Sequence, residues 1–234
     1  TIGSDSSNSI VFPPGAPAFA GSIIKSGAEI TYIPDRKKNV STNNKAVTGE
    51  LQLETDMSQH PTLLEAGSFA WFIIKRDDQY GIRLRNFNHP RINELKHIPA
   101  YPPDLHWRIE AAFVPFNKDS VFEVPTMIGG TEDYTCPGKL EFSVDGTKTE
   151  LFPFDTGDGF FIIFGDATSG KETYAAGRFL STGKPDSHNH VIIDFNKAYN
   201  PPCAFSPFAT CPLPPPENRL QVAIKAGEKA VHLE

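Results

Sequence analysis

Residues 139–154 read KLEFSVDGTKTELFPF. An Asp-Gly pair between two alternating runs is the signal of a two-residue hairpin loop, whose central residues both take positive φ. Pairing outward from Asp145-Gly146 sets Val144 against Thr147, Phe142 against Thr149 and Leu140 against Leu151. The apolar side chains then share one face. A slip of one residue would turn them all to the other face, so the register is specified.

The same period of two extends along the chain in both directions. Upstream, ELQLETD (50–56) alternates, and FAWFIIKRDDQYGIRLRN (69–86) reads as a hairpin turning at Asp77 and Asp78. Downstream, GFFIIFGD (159–166), YAAGRFL (174–180), HVIIDFN (190–196) and RLQVAIKAG (219–227) read as further strands. A turn or two of helix is expected only at PTLLEAG (61–67). The expected class is all-β with very little helix.

Composition agrees. The 18 Phe suit strands, and 21 Pro with 18 Gly suit many turns. With 39% hydrophobic and 21% charged residues the chain is globular rather than disordered. A net charge of -6 without a basic stripe argues against a nucleic-acid partner. No apolar run is long enough for a membrane-spanning helix. The chain starts inside a strand pattern at Thr1, so an upstream segment is expected, and the compartment stays open. Leu233-Glu234 reads as the remnant of a purification tag.

NHPRINELKHIPAYPPD (88–104) holds four prolines and no alternation. It is expected to link a β-sandwich over 1–87 to an antiparallel β-barrel or sandwich over 105–232.

The second part carries the chemistry. Arg178 lies in an apolar strand, on one face with Tyr174, Ala176 and Leu180. A charge there needs a partner. If the strands around 178 and 194 form a hairpin, Asp194 is a neighbour; Glu172 and Glu217 are the other expected acids. A structural salt bridge and an anion-binding arginine both fit. GDATSGKETY (165–174) lacks the order of a phosphate-binding loop and reads as a shaped loop carrying Asp166 and Glu172.

The segment 194–218 is rich in Pro and polar groups, with Asp194, Asn196, Tyr199, Asn200 and Asn218. Its prolines favour polyproline II, whose backbone groups need outside partners. It can wall a pocket or plug an open end of the fold. Cys203 and Cys211 enclose seven residues, so a disulfide is feasible; three half-buried thiols, with Cys136, are the alternative. HNH (188–190) can place two imidazoles on one side of a strand, but KPDSHNH also reads as a polar hairpin tip. No metal site and no cofactor are expected.

Three functions fit these residues. The first is a binding module for a small anionic or polar ligand, or a peptide, using Arg178, Asp194, Asn196, Tyr199, Asn200, Glu172, Asp166 and Asn218. The second is a hydrolase-like enzyme with Asp166, Glu172 or Asp194 as acid/base beside Arg178. The third is a purely structural or interaction protein. Oligomeric state is not legible.

Two resemblances add to this. TIGSDSSNSIVFPPGAPAFAGSI (1–23) and STNNKAV (41–47) resemble a forkhead-associated domain, a phosphothreonine-binding β-sandwich. Ser4 stands where that family has Arg, and APAFAGS (16–22) where it has Ser-Arg-x-x-His, so no binding residue carries over. DATSGKETYAAGRFL (166–180), the run from Asp194 to Lys229, YGIRLRN (80–86) and the W-x-I-x-A-x-F-x-P pattern of 107–115 resemble the bacterial and archaeal domain of unknown function 1684 family. That resemblance implies no substrate. It implies that the Arg178 region and the Pro/Cys-rich segment form one feature.

Overall fold

The protein was studied as a computed structural model, which describes residues 1–35, 40–76, 78–95 and 97–231. Asp77 in the expected turn and the Leu233-Glu234 pair lie outside the described residues. The chain is all-β and divides into two compact units, Thr1–Lys96 and His97–Glu234.

In the first unit, β1 (Ile2–Gly3) and β2 (Ile10–Val11) form a short parallel pair. Next come β3 (Ser22–Ser26), β4 (Glu29–Ile33), β5 (Ser41–Thr42), β6 (Lys45–Ala46) and β7 (Leu51–Gln52). They are followed by β8 (Leu64–Ala66), β9 (Phe69–Arg76) and β10 (Gln79–Asn86). One sheet runs β3-β4-β7 and the other β10-β9-β8-β5-β6. Trp71 and Tyr32 are fully buried at their shared core, with Phe12 edge-on to Trp71 at 5.5 Å. The helix expected at 61–67 is strand β8 instead, because Leu64 and Ala66 alternate into the core and pair with Trp71 and Phe69. The helix is α1 (Arg91–Glu94), in the expected linker. Pro90 precedes it with φ already helical, which presets the first turn.

In the second unit, β11 (Arg108–Pro125) and β12 (Thr131–Val144) form a long hairpin. Around it are β13 (Thr147–Leu151), β14 (Phe154–Asp155), β15 (Gly159–Phe164), β16 (Arg178–Gly183) and β17 (His190–Asp194). The Asp145-Gly146 turn has φ of 49° and 80°, and β12–β13 takes the expected register. Two antiparallel sheets result, β13-β12-β11-β17 and β14-β15-β16. Leu140, Phe142 and Leu151 from the first meet Ile162, Phe164 and Leu180 from the second in one core.

Three expectations need correction. The strand expected over 174–180 begins only at Arg178, and residues 174–177 form a turn closed by the Gly177 amide on the Tyr174 carbonyl. β16 and β17 are not paired in one sheet, so 178–194 is not a two-strand hairpin. The run 219–227 is not a named strand: after one bridge, Gly165 to Arg219, it leaves the sheet. Its backbone bonds go to side chains and loops instead.

Candidate functional site

Register places Arg178. Phe164 on β15 pairs with Arg178 on β16, so the arginine faces the loop that follows Phe164, where Asp166 stands. The partner is therefore Asp166, with Nη2 2.8 Å from Oδ2, and not Asp194, Glu172 or Glu217. Asp194 belongs to β17 in the other sheet, where it caps the 3-10 turn Phe195–Lys197.

The pair is closed. Both side chains are 1% exposed. Nη2 also donates to the Ile224 carbonyl at 2.9 Å, and Nη1 donates to the carbonyls of Ala226 and, at 3.3 Å, Glu228. The guanidinium lies over the Phe164 ring, 5.3 Å from its centre. Asp166 Oδ1 accepts from the Thr168 amide (2.7 Å), the Thr168 hydroxyl (2.6 Å) and the Ile224 amide (3.3 Å). The loop 165–173 thus presents its carboxylate inward, and the pair clamps residues 224–228 by their backbone. Gly227 lets the clamped segment lie close against the Phe195–Ala198 turn. At φ +71° a Cβ there would sit 2.4 Å from the Ala198 carbonyl.

The other expected residues are placed as follows. Asn218 is fully buried and acts like a strand residue: Oδ1 accepts from the Phe152 amide at 2.7 Å and Nδ2 donates to the Phe152 carbonyl at 2.9 Å. Asn200 donates Nδ2 to the Lys229 carbonyl at 2.8 Å, and its amide donates to Glu228 Oε2 at 2.7 Å. Its buried Oδ1 has no hydrogen-bond partner among the described residues. Asn196 exchanges two bonds with the Asp104 backbone, at 3.0 and 2.9 Å. Tyr199 pairs with Phe179 through both backbone bonds at 2.9 Å. Glu172 is exposed; it accepts from the Tyr101 hydroxyl at 2.9 Å and lies 3.5 Å from Lys225 Nζ. The Tyr101 bond, then the charges of Lys225 and Lys229, hold its carboxyl below the usual range. Arg178, Asp166 and Asn200 meet around the 224–229 segment; Asp194 and Asn196 lie apart from them, around Asp104.

The cysteines are thiols. The Cys203 amide donates to Cys211 Sγ at 3.1 Å, so the two residues are neighbours without a disulfide between them. Cys136 is buried, and burial pushes its thiol up to about 11. Among the described residues no three His, Cys, Asp or Glu side chains gather where a metal could bind. His188 and His190 are 6.5 Å apart at the ring centres, and Asp186 accepts from both backbone amides at 2.8 Å, which makes the segment a hydrogen-bonded turn.

Sequence reasoning missed an open groove of about 850 Å³ on the β12–β13 hairpin. Phe142, Leu220 and Val222 are its apolar lining residues, and Lys148, Arg219 and Glu217 line it as well. Glu141 and Glu150 also line it, but Lys139 holds both, at 2.8 and 2.9 Å. Lys148 and Arg219 are exposed, with no ion pair among the described residues. A signal was present: Arg219-Leu220-Gln221-Val222 alternates directly after the last proline run, facing the hairpin.

No curated protein matches the chain. A solution NMR structure of an uncharacterized protein from Haloarcula marismortui is similar, with 28% sequence identity and a TM-score of 0.50 over 60% of this chain and 80% of that one. A family model described as "Protein of unknown function (DUF1684)" matches residues 93–229, so the chain belongs to that family.

Proposed function

We propose that the second unit is a binding module for a small polar ligand carrying an anionic group, seated in the groove between the β12–β13 hairpin and residues 217–222. The observation that carries this reading is the pairing of an apolar lining with two exposed cations, Lys148 and Arg219. Its volume of about 850 Å³ lies within the range of small-molecule sites. Exposed charge contacts contribute at most about 1 kcal/mol each. The apolar lining must supply the rest, and an open groove of this kind suits affinities of roughly millimolar to micromolar.

The Pro/Cys-rich segment supports the groove as a wall. Asn218 anchors it to Phe152, and Glu217 and Arg219 on either side of that anchor face the groove. A hydrolase-like reading has less support. Asp166 has both carboxylate oxygens occupied and no exposed surface to offer a substrate. For the first unit, we infer that the forkhead-associated likeness is one of scaffold without phosphothreonine capture.

The test is a thermal-shift and NMR screen of the full chain against carboxylates, sugar acids and phosphate esters. A ligand at 100 times its Kd stabilises by about 2.7 kcal/mol. Lys148→Ala and Arg219→Ala should each weaken binding by up to about fivefold and reduce the shift accordingly, while leaving the unliganded melt unchanged. A ligand that binds equally well to both variants refutes the groove.

A further inference from the structure

Cys203 and Cys211 stand on two different supports. Cys203 lies in the 3-10 turn Pro202–Ala204, and its carbonyl accepts from the Tyr174 hydroxyl at 3.0 Å. Cys211 is 6% exposed and packs with Val124, Phe154, Ile163 and Phe179. Its carbonyl accepts from the Met127 amide at 3.0 Å, and Pro212 bridges to Thr126. Both backbones are held, and Cys211 Sγ lies 3.1 Å from the Cys203 nitrogen, within reach of the Cys203 side chain. Cys203 is half-buried and Cys211 buried, so Cys203 is the more accessible of the pair. Between them Pro207 and Phe208 are exposed, Phe208 at 85%, and the other residues are half-buried.

We propose that Cys203 and Cys211 form a thiol–disulfide exchange site whose substrates are small, solvent-borne disulfides, with Cys203 as the attacking sulfur and Cys211 as the resolving one. The Cys203 thiolate attacks one sulfur of RS–SR. A Cys203–S–SR bond forms, the S–S bond of the reagent breaks, and RS⁻ leaves with the electron pair. The Cys211 thiol then loses its proton and attacks Cys203 Sγ, expelling a second RS⁻. Two protein thiols are oxidised to one disulfide, and RS–SR is reduced to two RSH once both leaving groups take up protons.

The surroundings suit those roles. The hydrogen bond from Cys211 is the largest influence on Cys203. Together with the Tyr174 hydroxyl and the Cys203 amide it outweighs burial and brings this thiol down to about 6. The attacking thiol is thus ionised at neutral pH and close enough to ambient pH to stay nucleophilic. Tyr174 is pushed up to about 12, by burial first, so it remains a donor. Cys136 is the internal contrast, buried and un-ionised.

Oxidised glutathione is the probe, applied to the reduced full chain and read by intact mass and peptide mapping. The wild type should lose two hydrogens and map a Cys203–Cys211 disulfide. Cys211→Ser should accumulate a glutathione adduct on Cys203, and Cys203→Ser should react at least tenfold more slowly. Iodoacetamide labelling of the wild type, which needs no variant, should place half-maximal reactivity of Cys203 near pH 6. A wild type that stays reduced in excess oxidised glutathione, or adducts spread equally onto Cys136, would overturn the proposal.

Discussion

Arg178 pairs with Phe164 and Arg219 is bridged to the next residue, Gly165, and they illustrate opposite uses of one side chain. Arg178 points inward, 1% exposed, with Asp166 and three carbonyls as acceptors. Arg219 is bridged to the same stretch through the bonds that Asn218 and Leu220 make to Gly165, and it is exposed and lines a groove. An arginine on an apolar strand face is conspicuous in a sequence, but that placement selects for burial and a closed ion pair. An arginine available to a ligand sits in an unremarkable alternating run.

The comparison breaks most visibly on Arg178. Arg178→Ala should destabilise the chain by about 3–5 kcal/mol, since it leaves the Asp166 carboxylate buried and unpaired. Chemical denaturation of the second-unit transition measures this, and a loss below about 1 kcal/mol would mean that the clamp contributes little. Asn218→Ala comes next. It strands the Phe152 amide and carbonyl, so about 1–3 kcal/mol should be lost. Arg219→Ala and Lys148→Ala should fall within about 0.5 kcal/mol of the parent, as surface changes do. A large loss from either would turn the groove into structure and erase the contrast.

A smaller effect sharpens the cysteine account. Cys203 has a lower pKa when folded (about 6) than its ordinary 9.0. The folded state therefore binds fewer protons between those values, and stability should rise with pH from about 6 to about 9. This contribution is complete above the ordinary value and disappears as pH falls through about 6. Cys203→Ser should flatten that part of the stability–pH curve; an unchanged slope would contradict the lowered pKa.

Much of the architecture was legible because strand periodicity and turn chemistry are local. Asp145-Gly146 carried its own register, and the apolar runs at Phe69–Arg76 and Gly159–Phe164 marked strands. Leu64–Ala66 was misread because three residues are too few to separate a strand from a helical turn. Run 219–227 was misread because alternation does not show whether a neighbouring strand edge is available. The need of Arg178 for an acid was legible from its apolar neighbours, but its partner was not. That choice depends on which strands pair, and β16 pairs with β15 rather than β17. The groove was not legible because its walls, 141–150 and 217–222, are brought together only by the return of the Pro-rich segment along Phe152 and Gly165.

The central claim is that ligand recognition belongs to the groove and not to the Arg178 clamp. An amide-resolved NMR titration of the full chain with the best binder from the anion screen tests it most directly. The account predicts shifts concentrated at Phe142, Lys148 and Arg219 to Val222, with affinity weakened by up to about fivefold in Arg219→Ala. Shifts centred instead on Asp166, Arg178 and residues 224–228, with affinity unchanged in Arg219→Ala, would contradict it.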